Sequence, residues 1–511
     1  MKRSSIIILM LVAALLGAGI AIPIVRTAEK NKLLASKYED WLKLSVIMQK
    51  IDEMYVDSVD HEKVTDAAVT AALAALDPHC IYMLPQKLED TQEELAGNFF
   101  GIGIQFNVPN DTAIVIEVIP GGPAERVGMQ AGDRLLKVDS TPIAGVNFPQ
   151  DSMVRRMKGP QGTHVTVTVG RGNETVPFEI VRDRIPTHSV DASFMVNDTV
   201  GFVRLSKFSR TTSDEFQKAA ANLKASGMKY LIVDLRDNGG GFLDQALMLS
   251  NKFLSKGKLI VYMAGRHRER EDYYADGHGT FKDTDLTLLV SENTASSSEI
   301  FAGAMQDNGR ARLVGRRTFG KGLVQEPVDF VDGSGIRLTV ARFYTPSGRC
   351  IQKPYEDYDE ELIKRFETGE MMAADSMDVE KGGIVPDIFV PIDTTKVGRF
   401  YIGCNRKATP MRFASAYFDA HHAELQAIDN FDDLVRYLDS AGLEQRFLSY
   451  AKSKDGLVPD GNEWDVERAY MMAQVRALVG RYSKLGDNAY YHIYLDIDEV
   501  YKTALRSITG Q

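Results

Sequence analysis

Hydrophobic positions divide the chain into stretches of different texture. From residue 30 to 95 apolar residues recur at steps of three and four, as in VTDAAVTAALAALDPH. This spacing predicts an N-terminal helical segment whose second helix is closed by Pro78. From 96 to 182 short β-rich runs, AIVIEVI and THVTVTVG, are separated by glycine- and proline-rich turns. This second stretch is predicted to be a compact strand-rich module with at least one helix.

The two remaining stretches differ in how strands and helices follow one another. Residues 185–400 alternate between strand patterns, GFVRL and KYLIVDL, and helix patterns such as SDEFQKAAANLKASG. Such alternation predicts an α/β layer arrangement. Residues 401–511 return to amphipathic helices without catalytic spacing, and we expect them to serve packing or dimerisation, so that a homo-oligomer is one expected state. The whole chain is predicted to be a multidomain α+β protein.

An uncharged apolar run, Ile6 to Val25, follows Lys2 and Arg3 at the N-terminus. A positive flank before an apolar run of this kind is typical of a translocation signal. The run is long enough to span a bilayer, and the small-x-small cleavage signal at 19–21 is weak. Residues 1–28 are therefore predicted to be a signal peptide or a membrane anchor. Length favours the anchor, with the rest of the chain outside the cytoplasm.

Composition narrows the function classes. The 511 residues, of which 44% are hydrophobic, are enough for about two to four domains with their own cores. A net charge of −10 without any basic block argues against nucleic acid as a partner. Three cysteines, Cys80, Cys350 and Cys404, lie far apart and match no metal-ligand spacing. Neither a metal site nor a disulfide framework is expected, although outside the cytoplasm a single pair is able to join.

Three consecutive serines, residues 296–298, come just before a helix-like segment in ENTASSSEIFAGAMQDNGRARLVGRRTFGKGLVQ. A serine hydroxyl becomes a nucleophile when a base takes its proton, and that base is a histidine or a lysine whose pKa burial has lowered. His267 and His278 are the nearest histidines. They lie in charged stretches predicted to be solvated loops, but they stay candidates because partners need only meet in space. Lys321 in GKG is the other candidate, although a lysine between glycines is usually an exposed turn residue.

The segment from Ser296 to Gln325 resembles the active-site segment of the C-terminal processing (tail-specific) peptidases, Ser/Lys-dyad serine peptidases of the S41 type. In that family the nucleophile is the first serine of a Ser-x-Ser-Glu motif. A lysine follows twenty-five positions later and a glutamine four after that, and this chain has Ser296, Lys321 and Gln325 there. The resemblance implies that Ser296 attacks, that neutral Lys321 takes its proton, and that Gln325 orients the lysine. Ser297 stands where the family often has alanine.

The tetrahedral intermediate of peptide hydrolysis needs backbone donors for its oxyanion. The expected donors are the amide of Ser297 and those of Gly239 and Gly240, in a turn after the predicted strand at 230–235. In the family the same strand and turn line the active site. Asp307 is expected to support the helix that follows Ser296. The proposed chemistry needs neither a metal nor an organic cofactor.

Further motifs extend the resemblance to about residues 35–395. LDPHCIYM at 76–83 has Cys80 where serine is common, FYTPSGRCIQ has Cys350 at another serine position, and GGIVPDI covers 382–388. The domains implied are a PDZ domain at 96–182, an α/β ClpP/crotonase-like peptidase core at 185–400, and the helical C-terminal region at 401–511.

The resemblance also implies a carboxylate-binding loop at the start of the PDZ domain. Its backbone N–H groups form an anion nest, and the adjacent strand pairs with an extended peptide. The loop comprises Phe100, Gly101, Ile102, Gly103 and Ile104. Its apolar side chains imply protein or peptide substrates with an apolar free C-terminus. Arg155, Arg156 and Lys158 precede GPQGT at the edge of the module, and a basic residue there is expected to respond to the bound carboxylate.

Together these features describe a serine endopeptidase of the cell envelope, on the periplasmic side, that engages substrate tails through its PDZ domain. A second hypothesis is a catalytically inactive PDZ scaffold or adaptor, against which the complete set of Ser296, Lys321 and Gln325 argues. A third is a Ser/His/Asp hydrolase, which requires His267 or His278 for turnover.

Overall fold

The computed structural model describes residues 42–108, 111–355, 358, 360–373 and 381–510. The predicted signal peptide or anchor at 1–28 lies outside these ranges. Within them, no helix combines the length and the apolar character needed to cross a bilayer.

The described residues before Asp77, 42–76, belong to one compact unit. Helix α1 covers residues 42–54 and helix α2 covers His61–Ala74. Asp60 begins α2, because its side chain accepts a hydrogen bond from the Lys63 N–H at 3.1 Å. This bond satisfies one of the amides that have no acceptor within the first helical turn. The spacing of apolar residues therefore predicted the helices of this unit.

From Asp77 onward the chain forms a second compact unit. Its first part is rich in short strands. In chain order its elements are β1 (Ile81–Met83), α3 (Pro85–Ala96), β2 (Asn98–Gly101), β3 (Ile104–Asn107), β4 (Ala113–Val118), α4 (Pro123–Arg126), β5 (Arg134–Val138), β6 (Thr141–Pro142), α5 (Gln150–Met157), β7 (His164–Arg171), β8 (Glu174–Val181) and β9 (Asp183–Pro186).

The strand-rich module is built on an antiparallel sheet in the order β3-β4-β5-β7-β8, with β6 beside β5. In β7 the side chains of Val165, Val167 and Val169 are buried and the residues between them are more exposed. This alternation arises because successive side chains of a strand point to opposite faces of the sheet. Helix α5 adds Met153 and Met157 to the same apolar core.

The central part of the second unit alternates strands and helices. Its elements are β10 (Val190–Met195), β11 (Val200–Leu205), α6 (Thr212–Ala225), β12 (Tyr230–Asp234), α7 (Leu243–Asn251), β13 (Leu259–Gly265), β14 (Arg268–Tyr274), β15 (Asp285–Val290), α8 (Ser297–Asp307), β16 (Ala311–Gly315), β17 (Leu323–Asp329), β18 (Gly335–Tyr344), α9 (Glu361–Glu367) and β19 (Ile388–Phe389).

A six-stranded sheet organises this core, in the order β10-β11-β12-β15-β16-β19. Strand β10 is antiparallel at one edge and the others run parallel. Helices α6, α7 and α8 pack on one face, over Val203, Leu231, Val233 and Leu288. The carboxyl ends of β12 and β15 meet at one edge of the sheet, where open α/β sheets place their ligand sites.

A second sheet contains β1, β13, β14, β17 and β18. Strand β1 pairs antiparallel with the start of β18, so that Ile81 lies opposite Arg337. Strands β17 and β18 form a hairpin in which Gln325 lies opposite Thr339. Strand β1 therefore interrupts the helical segment predicted for residues 30–95. It brings the preceding residues 77–80 to β18, where Cys80 Sγ accepts from the Thr339 N–H at 3.4 Å.

The C-terminal part is helical. Its elements are α10 (Arg399–Arg406), α11 (Thr409–Gln426), α12 (Phe431–Ser440), α13 (Leu443–Tyr450) continued by a π turn at Ala451–Asp455, α14 (Glu463–Gly480), α15 (Gly486–Tyr494) followed by a 3₁₀ turn at Leu495–Ile497, and α16 (Glu499–Thr509). Most of these helices share one apolar cluster, which includes Phe413, Phe447 and Val475.

Helix α16 packs elsewhere, on the face of the six-stranded sheet opposite α8. Its residues Tyr501 and Ala504 are buried there with Phe202, Ile232 and Leu289 of the sheet strands. The region for which the sequence predicted packing or dimerisation thus supplies one of the layers of the core.

Candidate active site

Ser296 lies immediately before helix α8, in a backbone conformation that residues other than glycine seldom adopt. Its φ is +58° and its ψ is −120°. A non-glycine residue held in this region costs about 1–3 kcal/mol and persists only where its surroundings fix it. Here the Ser296 N–H donates to Oε2 of Glu299 at 2.9 Å, one turn into the helix. The turn into α8 therefore holds Ser296 in a fixed position at the carboxyl edge of the sheet.

The two serines after Ser296 attach α8 to the glycine turn that follows β12. The Ser297 hydroxyl donates to the Gly241 carbonyl at 2.8 Å, and the Ser298 hydroxyl donates to the Asn238 carbonyl at 3.1 Å. Both serine side chains are buried. Of the three consecutive serines, Ser297 and Ser298 thus have structural roles, and Ser296 is the one that is only partly buried.

Gly240 packs directly against Ser296. Its φ is +94°, and a Cβ built on it would lie 2.8 Å from both Ser296 Cβ and Ser297 N. The structure therefore brings together three predicted elements of the site, the nucleophile, the Ser297 amide and the glycine turn. The Gly240 N–H donates to Oδ1 of the buried Asn238 at 2.9 Å in this structure. The Ser297 N–H lies in the first turn of α8, where amides have no intrahelical acceptor.

Glu299 is completely buried and connects the two halves of the site. Its Oε2 accepts from the Ser296 N–H at 2.9 Å and from the Lys321 N–H at 2.8 Å, and its Oε1 accepts from the Gly320 N–H at 2.8 Å. The Thr318 hydroxyl also donates to Oε1, at 2.5 Å. Burial raises the pKa of Glu299, and these four donors counteract the rise because they favour the carboxylate.

The glycines on either side of Lys321 are required by close packing. A Cβ on Gly322 would lie 2.7 Å from the Gln352 N, and one on Gly320, whose φ is +87°, would lie 3.1 Å from the Gly383 N. The Lys353 N–H also donates to the Gly320 carbonyl at 2.9 Å. Backbone from two later segments therefore covers the lysine turn, as the absence of side chains at these glycines allows.

Lys321 itself is partly buried. Burial lowers its pKa below the ordinary 10.5, and the positive charge of Arg337 lowers it further, whereas Asp77 and Glu299 oppose the change. A lysine with a lowered pKa is neutral more often near physiological pH, and a neutral amine is able to accept a proton. This environment suits a general base.

Gln325 lies in β17, close to the segment around β1. Its Nε2 donates to the His79 carbonyl at 2.5 Å. In the described part of the chain no hydrogen bond joins Gln325 to Lys321. The orienting role of Gln325 toward the lysine therefore stays a prediction, and its observed contact fixes the His79 segment.

His79 is a site residue to which the sequence analysis assigned no role. Asp77 accepts from the His79 N–H at 2.8 Å, and the His79 Nε2 makes a hydrogen bond with the Tyr358 hydroxyl. Burial and the neighbouring charge of Lys321 lower the pKa of His79 to about 4. His79 is thus a neutral imidazole beside the candidate base. Its presence in the LDPHC motif was the available signal, but its distance from Lys321 along the chain concealed their electrostatic interaction.

A buried ionic cluster lies behind the lysine turn. The Arg317 side chain is fully buried and pairs with Glu370 at 2.7 Å and with Glu361 at 2.9 Å. Arg365 pairs with the same Glu370 at 3.0 Å, and Lys353 pairs with Glu361 at 3.0 Å. Because breaking one partner of a buried pair leaves an uncompensated charge, this cluster holds the Arg317–Thr318 backbone firmly.

The other candidate residues lie outside this constellation. His267 and His278 are exposed, and neither has a hydrogen bond to Ser296 in the described ranges. Asp307 accepts from the Ser347 N–H at 2.9 Å and from Arg349 at 2.5 Å, which agrees with a supporting role at the end of α8. Cys80, Cys350 and Cys404 are unpaired thiols. No cluster of three acidic, histidine or cysteine side chains in the described ranges is arranged to hold a metal ion.

The predicted carboxylate loop lines a cavity of about 410 Å³ between β3 and α5. Gly101, Ile102, Gly103 and Ile104 all contribute to its wall, together with the apolar side chains of Phe99, Phe106, Val154 and Met157. Phe100 has a different place, in β2 opposite Arg184 of β9. The cavity is thus an apolar groove with a glycine-containing loop at one end.

Family models match both the core that contains Ser296 and the strand-rich module that contains the cavity. The family model for Peptidase family S41 matches residues 199–362, and the model for the PDZ domain matches residues 101–181. A probable CtpA-like serine protease of Staphylococcus saprophyticus is 32% identical over 354 residues, which are 68% of this chain and 71% of that protein. A probable CtpA-like serine protease of Staphylococcus aureus (strain N315) is 34% identical over 311 residues, 60% of this chain and 62% of that protein. The solved structure of a photosystem II D1 C-terminal processing protease is 28% identical, with a TM-score of 0.39, and the alignment covers 69% of this chain and 86% of that one.

Proposed function

The chain belongs to peptidase family S41 and is a serine protease with a PDZ domain, and from this premise we propose that Ser296 and Lys321 form its catalytic dyad. One observation carries the proposal. A single buried carboxylate oxygen of Glu299 accepts from the backbone N–H groups of both residues, at 2.9 and 2.8 Å. The two backbone nitrogens are therefore no further apart than the sum of these hydrogen bonds.

In the proposed reaction Ser296 Oγ attacks the carbonyl carbon of a peptide bond while neutral Lys321 takes the hydroxyl proton. The tetrahedral intermediate collapses, the C–N bond breaks, and Lys321 gives the proton to the leaving amine. A water molecule then attacks the acyl-enzyme ester, with Lys321 again as the base, and Ser296 regains its proton. Gln325 has the proposed role of orienting Lys321 by hydrogen bonding; in this structure its Nε2 donates to the His79 carbonyl.

The oxyanion of both tetrahedral intermediates requires backbone donors. We assign this role to the Ser297 N–H, with Gly239 and Gly240 as the second side of the hole. The close packing of Gly240 on Ser296 supports this assignment. Since the Gly240 N–H donates to Asn238 in this structure, the Ser297 N–H is the donor on which the assignment depends most.

The PDZ domain is proposed to bind the free C-terminus of the substrate. Its cavity combines apolar walls with the loop at 101–104, an arrangement suited to an apolar terminal side chain and a carboxylate. The substrates are therefore proteins or peptides with apolar free C-termini. A free C-terminus is the feature that separates such a tail from an internal segment.

The location proposed is the cell envelope, outside the cytoplasm, with residues 1–28 as membrane anchor or cleaved signal. The uncharged run at 6–25 after two positive residues supports this. Membrane fractionation of cells, followed by an alkaline wash, separates an anchored chain from a released one. A homo-oligomer stays a prediction, which light scattering of the purified chain tests.

The central experiment measures cleavage of an unstructured protein with an apolar C-terminus by the full chain purified in detergent. Ser296→Ala and Lys321→Ala are expected to lower kcat by about 10⁴-fold or more. Lys258→Ala, at an exposed lysine, is the matched control and is expected to cut normally. Amidation of the substrate C-terminus is expected to slow cleavage by the parent protein, because the anion nest then lacks its ligand.

Three results would contradict the proposal. If the Lys321 variant cuts as fast as the parent, Lys321 is not the base. If His267→Ala or His278→Ala alone abolishes turnover, a Ser/His/Asp mechanism replaces the dyad. If the parent binds the tail and never cuts it, the inactive PDZ scaffold is the better description.

A further inference from the structure

The carboxylate end of the PDZ cavity carries charged side chains from outside the PDZ sheet. Asp90 and Glu93 of α3 line the cavity together with Lys158, at the end of α5, and Lys207. Lys158 Nζ lies 2.8 Å from Glu93 Oε2 and 3.9 Å from Asp90 Oδ1. The lysine also lies over the Phe99 ring, 4.9 Å from its centroid. A cation beside the carboxylate loop is thus already paired with carboxylates of the same chain.

The loop itself directs amides away from the body of the module. The Ile102 carbonyl accepts from the Ala124 N–H at 2.8 Å, and the Gly103 carbonyl accepts from the Ile119 N–H at 3.0 Å. In a trans peptide the N–H points opposite to the carbonyl. The N–H groups of Gly103 and Ile104 therefore point away from these partners, on the side of the loop that an anion is able to approach.

Helix α3 is fixed to the peptidase core and not to the PDZ sheet alone. The Arg210 N–H donates to the Leu95 carbonyl at 3.1 Å, and the Thr187 N–H donates to the Gly97 carbonyl at 2.9 Å. The Glu93 carboxylate is only 20% exposed and the Lys158 side chain 29% exposed. The pair is therefore partly shielded from water, which strengthens it relative to a surface ion pair.

We propose that Glu93 is a built-in competitor for Lys158, and that with Asp90 it weakens the hold of the PDZ cavity on a substrate carboxylate. This inference rests on the proposed binding of substrate tails by the PDZ domain. A tail that enters the cavity brings a second carboxylate to Lys158, and Lys158 exchanges Glu93 for the tail. The affinity for a tail then depends on the difference between two contacts of Lys158, one with the tail carboxylate and one with Glu93 of α3.

The test measures binding of a labelled peptide with an apolar C-terminal residue to the full chain carrying Ser296→Ala, so that nothing is cut. Glu93→Gln is expected to tighten the Kd about two- to fivefold, the range of a partly exposed ion pair. Lys158→Met is expected to weaken it about fivefold. The double variant is expected to bind like Lys158→Met alone, because a competitor without its target has no effect.

Two controls isolate the mechanism. A peptide with an amidated C-terminus is expected to bind the parent and Glu93→Gln equally, since it presents no carboxylate to Lys158. Glu89→Gln removes an exposed acid of the same helix that does not line the cavity and is expected to leave the Kd unchanged. Thermal unfolding checks that each variant is folded, and Lys158→Gln replaces Lys158→Met if the latter is not.

The outcomes separate this inference from the function on which it rests. If Glu93→Gln leaves carboxylate binding unchanged, or tightens carboxylate and amide equally, the competitor is refuted while tail binding stands. If the parent binds neither peptide, tail recognition by the PDZ domain is itself wrong, and the competitor is refuted with it.

Discussion

Ser296 and Lys321 donate their backbone N–H groups to the same carboxylate oxygen, Oε2 of Glu299, at 2.9 and 2.8 Å. The proposed nucleophile precedes a helix and the proposed base lies in a glycine turn, so no regular element joins them. One fully buried side chain bridges them directly. Glu299 is therefore the residue through which the alignment of the dyad is most directly tested.

Glu299→Gln is expected to lower both stability and turnover. An amide replaces one acceptor oxygen by an NH₂ group, which faces N–H donors and leaves at least one without an acceptor. Such a buried mismatch costs about 2–4 kcal/mol, and the loosened dyad is expected to lower kcat about 10²-fold. Urea unfolding and cleavage kinetics measure the two effects. Glu269→Gln, at an exposed acid of the core, is the control, and a Glu299 variant with full kcat would contradict the positioning role.

The acidic limb of the pH–rate profile is expected to report Lys321. The ammonium form is not a base, so kcat/KM rises as pH increases through the pKa of Lys321, which burial and Arg337 lower. Arg337→Met removes a charge that disfavours the ammonium, raises the pKa of Lys321, and moves the limb to higher pH. Profiles from about pH 6 to about pH 10 measure this shift. Arg337→Lys keeps the positive charge and is expected to leave the acidic limb at the pH of the parent. An acidic limb that does not move in Arg337→Met would exclude Lys321 as its origin.

Gly240→Ala is expected to inactivate the enzyme. Its φ is +94°, and the new Cβ would lie 2.8 Å from Ser296 Cβ and from Ser297 N, so the proposed nucleophile and the proposed oxyanion donor must shift. We expect a loss of about 10³-fold in kcat/KM. Gly239→Ala is the matched comparison, because a Cβ at that position meets nothing within 4 Å. Equal activity in the two variants would show that the turn does not shape the site.

His79 is expected to make the protein less stable in weak acid. Its pKa falls from the ordinary 6.5 to about 4 in the folded chain, so between these values the unfolded chain binds the extra proton. The stability that it contributes is present above about pH 6.5 and is lost as pH falls toward about 4, to the extent of about 2 kcal/mol for a partly exposed group. Urea unfolding near pH 7 and near pH 4 is expected to show a smaller difference for His79→Gln.

Comparing the parent with His79→Gln also cancels the contribution of His492, whose pKa burial lowers to about 4. His492 is present in both proteins and contributes equally to each difference. An identical pH dependence of stability in His79→Gln would mean that His79 is not the neutral, buried group described above.

The sequence was informative where function depends on local spacing. The family, the multidomain α+β organisation and the serine protease class are confirmed. The serine motif placed Ser296 before a helix because apolar periodicity begins directly after it. The run THVTVTVG was likewise predicted to be β-rich, and it contains β7, in which the alternate valines are buried. In both cases the pattern and the structure that it predicts lie within a few residues of each other.

Features that depend on contacts between distant segments could not be predicted from the sequence. The three residues of β1 have too short a pattern to be separated from the helices around them, and their pairing with β18 joins parts of the chain far apart. His79 therefore had no predicted role. The ion pair of Glu93 with Lys158 likewise links two elements whose contact no periodicity reveals. Helix α16 has an ordinary amphipathic pattern, which identifies its apolar face but not the sheet that it covers.

The lysine turn has a consequence for how the chain is made. Its inner side is held by Glu299, and its outer side is covered by Gln352, Lys353 and Gly383. In a chain emerging from synthesis or translocation, the turn that carries the proposed base is not fully packed until the segment around Gly383, 62 residues beyond Lys321, has docked. Because the contacts that complete the turn come late in the sequence, we expect proteolytic competence to follow folding. We therefore expect that the nascent protein does not digest itself or its unfolded neighbours.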